Sequence, residues 1–132
     1  MSTAVIVTGI IATAIMSMVM KMAPKMGLPE MDIPKVLGGM MGNNTMIGWV
    51  MHFVAGIIFT FIYAKYGFAA TLTSALLYGA IHWLIVGVAI GMMPGMDVGY
   101  WMMKSGGMMA FVGGLIGHLV FALSIYFVLP LF

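Results

Sequence analysis

The chain has 132 residues, of which 64% are apolar, 6% are charged and none is cysteine. Its five basic residues, all lysines, and three acidic residues give a formal net charge of +2. Soluble domains carry roughly 25% charged residues, so this composition excludes a soluble globular domain. The missing cysteines exclude a disulfide scaffold, and scattered lysines without a basic stripe argue against nucleic-acid binding. We therefore expect an integral membrane protein.

Four stretches are long and apolar enough to cross a bilayer, which takes about 20 mostly apolar residues. The predicted spans are residues 3–20, 45–63, 71–92 and 110–129, and none has a charged residue in its interior. The first span lacks both a basic segment before it and a cleavage site, so we interpret it as a retained helix. The fold class that follows is all-α, with four transmembrane helices in a single membrane domain covering residues 1–132.

Lysines in the connecting segments predict the orientation, because short cytoplasmic loops are enriched in basic residues. The first and third loops hold four of the five lysines, whereas the second loop holds only Lys65. We therefore expect the first and third loops in the cytoplasm and both chain termini outside it. Trp49, Tyr100 and Trp101 stand where an aromatic belt would anchor the helices at the membrane interface.

The long first loop contains three prolines, which exclude one continuous helix. Asp32 followed by Pro34 is typical of a helix N-terminus, with an acidic cap and a proline in the first turn. Val36, Leu37 and Met40 would then share one side. The sequence thus predicts a short helix here, which we expect to lie on the membrane surface.

The chain has the pattern of an internal duplication. The segment Met22–Met26 and the segment Met92–Met96 both read M-x-P-x-M, and each is followed by Gly-Gly-Met-Met. Spans two and four share G-x-x-x-H-[FL]-V, which starts at Gly48 and at Gly114. These patterns recur in the same order at offsets of 70, 68 and 66 residues. We interpret residues 2–66 and 71–132 as two duplicated helical hairpins, related by a pseudo-two-fold axis along the membrane normal.

These same elements, above all Gly48, His52, Gly114 and His118, resemble those of a group of small four-span bacterial and archaeal inner-membrane proteins. The resemblance covers most of the chain. It implies a prokaryotic inner-membrane protein, and it brings no activity, substrate or cofactor with it.

Glycines within the spans predict close helix packing, because small residues let neighbouring backbones approach each other in lipid. Two pairs are spaced four residues apart, as in G-x-x-x-G motifs. A more specific alternative is that the glycines form a groove in which a flat cofactor could approach the backbone. The candidate packing positions are Gly48, Gly79, Gly87, Gly91, Gly113, Gly114 and Gly117.

His52, His82 and His118 are the only histidines, and each lies inside a predicted span. Polar side chains at that depth usually face the bundle interior and mark functional sites. Four interpretations stay open. The imidazoles could fix packing by bonding a backbone carbonyl or a hydroxyl such as that of Tyr78, Thr60 or Ser124. His52 and His118 could be the axial ligands of haem b. Two or three imidazoles could bind copper or zinc, or a histidine could contact a quinone or lipid.

Methionine is the second unusual feature, with 18 residues placed almost entirely toward one predicted side of the membrane. Thioethers are soft ligands that suit Cu(I), and Met16 and Met20 share a helix face. The next positions on that face are not methionine, so the stripe stops there. The alternative is that methionine fills irregular apolar space. The speculative metal ligands are Met16, Met20, Met22, Met26, Met92 and Met96.

No catalytic constellation is recognisable, so we do not expect an enzyme. There is no intramembrane carboxylate for a proton relay, and no phosphate-binding glycine motif. The leading hypothesis is an accessory or assembly subunit that packs in the lipid bilayer as a homo-oligomer or against a larger membrane complex. The alternatives are an intramembrane haem or metal-binding protein and a copper or small-solute transporter with methionine-rich ends.

Overall fold

A computed structural model describes residues 2–92 and 99–132, with side chains for residues 2–92 and 106–132. Within these ranges all regular structure is helical, and no strand occurs. The main helices are α1 (Thr3–Met22), α2 (Ile33–Gly39), α3 (Thr45–Tyr66), α4 (Leu72–Gly91) and α5 (Gly99–Val128). Short 3-10 turns, Ala23–Met26 and Leu129–Leu131, follow α1 and α5.

Four of these helices are long and apolar enough to cross a membrane, in agreement with the four predicted spans. The bounds of α1, α3 and α4 lie close to the predicted ones. The fourth helix differs, because it begins at Gly99 and not near residue 110. Gly107 lies inside it with a φ of 63°, a left-handed conformation that glycine adopts without steric cost. Glycines that suggest a loop are thus accommodated within a helix.

Side-chain caps explain where the helices begin. The side chains of Ser2, Asn44 and Thr71 accept hydrogen bonds from the backbone amides of the first turns of α1, α3 and α4. Such caps satisfy amides that have no partner inside the helix. At the other end of α3, Gly67 adopts a left-handed conformation with φ 68° and stops the helix. The tight turn between α3 and α4 follows from this glycine.

The four long helices form a bundle in which α1 packs against α3 and α5, and α4 packs against α5. The α1–α3 crossing is close, because a Cβ on Gly9 would lie 2.8 Å from Cα of Ile57. The α4–α5 crossing is similar, because a Cβ on Gly79 would lie 3.0 Å from Cβ of Ala122. Small residues therefore set the separation and rotation of both helix pairs.

The predicted packing glycines have different neighbours. Gly79 lies at the α4–α5 crossing, and Gly48 lies against the backbone carbonyl of Pro34 in α2. Gly113 and Gly117 leave space on the surface of α5, and methionine side chains pack into that space. The last three predicted positions are the buried Gly87 and Gly114 and the exposed Gly91.

Helix α2 forms where it was predicted, with Oδ1 of Asp32 accepting from the amide of Lys35 at 2.9 Å. Its expected position on the membrane surface stays a prediction. The helix packs back along the first turns of α3, with Ile33, Pro34 and Gly38 buried. The close fit follows from Gly38 and Gly48, where an added Cβ would meet backbone atoms of the opposite helix. The first loop is therefore part of the bundle.

Candidate functional site

The three histidines, one each from α3, α4 and α5, line one partly open cavity of the bundle. The cavity has a volume of about 100 Å³, and His52, His82 and His118 are 8%, 9% and 4% exposed. We call it the histidine cavity. Its remaining wall is mainly apolar and consists of Thr13, Met16, Ile33, Leu37, Ala55, Gly56, Phe59, Val86, Ile90 and Phe121.

His82 and His118 are in direct ring contact across the α4–α5 interface. Their ring centroids lie 4.9 Å apart, with the two planes at 89°. The contact follows from the close α4–α5 crossing at Gly79, about one turn before His82. A Cβ on Gly79 would lie 3.3 Å from the carbonyl oxygen of His118. The small residue thus brings two imidazoles together in an apolar interior.

The backbone of α5 fixes the tautomer of His118. Nδ1 of this ring lies 2.8 Å from the carbonyl oxygen of Gly114, one turn earlier. A carbonyl can only accept, so Nδ1 carries the proton and donates it. In the neutral ring, Nε2 then carries the lone pair.

His52 is held by a hydroxyl group of α1. Oγ of Ser17 lies 3.1 Å from Nε2 of His52 and 2.7 Å from the carbonyl oxygen of Thr13. The single hydroxyl proton goes to the carbonyl, which can only accept, so Nε2 of His52 donates to Ser17. The lone pair of the neutral ring is then on Nδ1. Ser17 is a site residue that the sequence analysis missed, although its position four residues after Thr13 is typical of an inward-facing hydroxyl.

His82 is packed mainly by aromatic rings. Its centroid lies 4.0 Å from that of Phe59 and 5.9 Å from that of Tyr63. Among the described residues, no group forms a hydrogen bond with its buried Nδ1. A buried polar atom without a partner is costly, so this ring is held by packing.

His118 bonds a backbone carbonyl and His52 bonds a hydroxyl, as the packing interpretation expects, but Thr60 and Ser124 are not the partners. Thr60 donates to the carbonyl of Gly56, and Ser124 donates to the carbonyl of Val120, each within its own helix. The ring of Tyr78 stacks on Phe68 with centroids 3.9 Å apart. Sequence alone does not give these partners, because a helical Ser or Thr can always bond its own backbone.

A second cavity, of about 120 Å³, adjoins the first at the end of α1. We call it the methionine cavity, because Met16, Met20 and Met31 line it and are only 7%, 7% and 4% exposed. The other residues that line it are Ser17, Lys21, Pro24, Glu30, Asp32, Ile33, Pro34, Trp49 and His52. Nζ of Lys21 lies 4.8 Å from the centroid of the Trp49 ring.

Of the five candidate methionine ligands that the structure describes, Met16 and Met20 line a cavity. Met16 and Met20 are buried, whereas Met22, Met26 and Met92 are 50%, 70% and 78% exposed. Met96 lies outside the described residues, as do the side chains of Tyr100 and Trp101. The sequence analysis missed Met31, although an apolar residue directly before a helix cap commonly packs inward.

Three residues, Met16, Ile33 and His52, line both cavities and form the wall between them. They come from α1, α2 and α3, so three helices meet at this wall. The mouth of the methionine cavity carries the charged side chains of Lys21, Glu30 and Asp32. A polar end of the bundle is thereby connected to its buried histidines.

The enclosed part of the histidine cavity, about 100 Å³, is smaller than the roughly 300–1,000 Å³ of pockets that enclose drug-sized ligands. The haem hypothesis stays a prediction. A single metal ion or a few water molecules would fit. No three His, Asp or Glu side chains in the described ranges are close enough to hold one ion together. A metal here would need a histidine pair with another kind of ligand.

The chain matches no protein-family model, no curated protein and no solved structure.

Proposed function

We propose that this chain is a multi-pass membrane protein of a prokaryotic cell membrane that binds one metal ion in the histidine cavity. The observation that carries the proposal is the convergence of all three histidines, from three helices, on one small cavity. Packing alone does not require imidazoles from three helices at one point. Intramembrane ionisable residues with partners are functional sites by default.

The orientation of His118 supports a metal ligand. Metal-binding histidines almost always donate their second ring N–H to a carbonyl or carboxylate, which fixes the tautomer. His118 makes this bond to Gly114. Its ring contacts that of His82, so two imidazoles lie together in a mainly apolar site. His52, held by Ser17, lines the same cavity but lies too far away to join His82 and His118 as a third ligand.

Membrane insertion is supported by the outer surface of the bundle. Large apolar side chains are exposed along the long helices, among them Ile10, Ile58 and Ile85 at 45%, 51% and 60%. In water such a surface would promote aggregation, whereas lipid would solvate it. The lysine distribution remains our basis for proposing extracytoplasmic termini.

We also propose that the bundle arose by duplication of a helical hairpin. Gly9 and Gly79, which correspond at an offset of 70, both lie at a helix crossing. Gly56 and Ala122, at an offset of 66, are both on the facing helix of their hairpins. His82 corresponds to Ala12, so the third histidine would belong to the second copy alone.

Metal analysis of the full chain tests the metal proposal. Protein purified in mild detergent would be incubated with copper or zinc, desalted and measured for bound metal. We expect stoichiometric metal in the parent, and a loss in His82→Gln and in His118→Gln. Ser124→Ala, which removes a buried hydroxyl elsewhere on α5, should retain the metal. A parent that stays metal-free, or histidine variants that bind like the parent, would refute the proposal.

A further inference from the structure

Three methionines line the methionine cavity at one end of the bundle. Met16 and Met20 lie one turn apart on α1, and Met31 comes from the segment that leads into α2. The methionine stripe of α1 stops in the sequence after Met20. The chain then turns back, so Met31 supplies the next thioether from a different segment. The fold thus assembles a group that the helix alone does not contain.

Two glycines of α5 make room for these side chains. A Cβ on Gly117 would lie 2.8 Å from Sδ of Met20, and one on Gly113 would lie 3.3 Å from Sδ of Met31. The two sulfurs therefore rest on successive turns of α5. A Cβ on Gly117 would also lie 3.5 Å from Cε of Met16. All three methionines consequently meet on one glycine face.

The chemistry of the lining favours a soft cation. Thioethers and imidazole select Cu(I), whereas hard divalent ions prefer carboxylate and carbonyl oxygens. Neutral ligands also suit a monovalent ion at a buried position, because they add no further charge to desolvate. The two carboxylates at the mouth, Glu30 and Asp32, attract cations, and Lys21 is drawn over the Trp49 ring.

We infer that the methionine cavity is a Cu(I) site, with Met16, Met20 and Met31 as thioether ligands. His52 lines this cavity and the histidine cavity, so the same residue connects the two sites. The inference goes beyond the proposed function, because it places a second metal site in a different cavity. It rests on that function only for the connection, because the three methionines lie away from the His82–His118 pair.

Competition against a chromogenic Cu(I) chelator, under anaerobic reducing conditions, tests the site in the full-length protein in mild detergent. Met20→Leu and Met31→Leu should each raise the dissociation constant for Cu(I) about tenfold or more, since even outer-shell changes cost 10–100-fold. Met22→Leu makes the same chemical change at an exposed position on α1 and should bind like the parent. Ag(I), a redox-inert soft cation, should follow the same order.

Equal affinity in the parent, Met20→Leu and Met31→Leu would overturn the inference, and so would a parent that binds no Cu(I). His118→Gln separates the two proposals. If His118→Gln loses metal while the methionine variants retain it, the methionine site is refuted and the proposed function stands. If the methionine variants lose Cu(I) while His118→Gln retains it, the methionine site stands and the proposed function is refuted.

A measurement on unmutated protein guards against variants that do not fold. Protein in which the methionines are replaced by selenomethionine would be loaded with Cu(I) and studied at the copper X-ray absorption edge. We expect a shell of selenium neighbours around copper. A copper spectrum with nitrogen and oxygen neighbours only would overturn the inference.

Discussion

Oγ of Ser17 on α1 lies 3.1 Å from Nε2 of His52 on α3, and this hydrogen bond crosses the interface that separates the two cavities. The same hydroxyl donates to Thr13 one turn earlier, so the ring is tied to the backbone of α1 through a single oxygen atom. The orientation of one cavity-lining imidazole thus depends on a helix to which it does not belong.

Removing this hydroxyl tests how strongly it holds the ring. Ser17→Ala should lower the free energy of unfolding by about 0.6 kcal/mol, the average for hydrogen bonds between helices in membranes. It should also weaken metal binding, because His52, which lines both cavities, loses the group that orients it. Ser17→Thr keeps the hydroxyl and should restore both. Thermal unfolding in detergent and metal titration give the two readouts, and no change in either for Ser17→Ala would contradict this role.

The α1–α3 crossing should not tolerate added volume at Gly56. A Cβ there would collide with Oγ1 of Thr13. We expect Gly56→Ala to lower the free energy of unfolding by about 1–3 kcal/mol, as overpacking does. Combining it with Thr13→Ala should recover part of the loss. Gly39→Ala is the control, because its Cβ would meet only Oδ1 of Asn43 at 3.9 Å. Unfolding by denaturing detergent measures all four proteins, and equal stabilities would show that the crossing is looser than described.

The position of α2 depends on Gly48. A Cβ at this residue would collide with the carbonyl oxygen of Pro34. Gly48→Ala should therefore displace α2 from α3 and speed amide hydrogen exchange in residues 33–39, while exchange in α4 stays as in the parent. Gly39→Ala again supplies the control. Unchanged protection of α2 in Gly48→Ala would show that other contacts hold it.

The predicted orientation can be tested cleanly because the chain has no cysteine. Two exposed positions suit a single cysteine. They are Lys25, in the first loop, and Ala70, between α3 and α4. With a thiol reagent that does not cross the membrane, we expect labelling of Ala70→Cys in intact cells. Lys25→Cys should react only after the cells are opened. The reverse pattern would invert the orientation inferred from the lysines.

The hypothesis of an accessory subunit stays a prediction. Protein extracted in mild detergent from its native membrane should run above the mass of a single 14.2 kDa chain, as a homo-oligomer or with partner proteins. Crosslinking in the membrane before extraction checks that the detergent does not separate the subunits. A monomer by both measurements, with no co-purifying protein, would contradict the hypothesis.

The four long helices were predictable because length and apolar composition suffice for them. The N-terminus of α2 was also predictable, since Asp32 and Pro34 carry a local signal that does not depend on the rest of the chain. The start of α5 was not predictable from the sequence. Two consecutive glycines near residue 107 suggest a loop, because glycine has a low helix propensity.

The convergence of the histidines needed the structure. In a soluble helix, polar and apolar faces reveal the rotation, but a membrane helix is apolar on both its inner and outer sides. Here the rotation is set by contacts such as those of Gly9 with Ile57 and of Gly79 with Ala122. Such contacts join residues far apart in sequence, so one chain does not disclose them. Met31 was missed for the same reason, because its neighbour Gly113 lies on the last helix.

Ile33 is the only residue of α2 in the wall between the two cavities, and α2 is a helix of just seven residues. A shift of this short helix changes the volume of both cavities at once. A molecule that binds α2 and moves it would therefore change the affinity of the interior site for its ion. Thermodynamic linkage then requires that the bound ion change the affinity of α2 for that molecule by the same factor. The first loop is thus a route by which events outside the bundle would reach its centre.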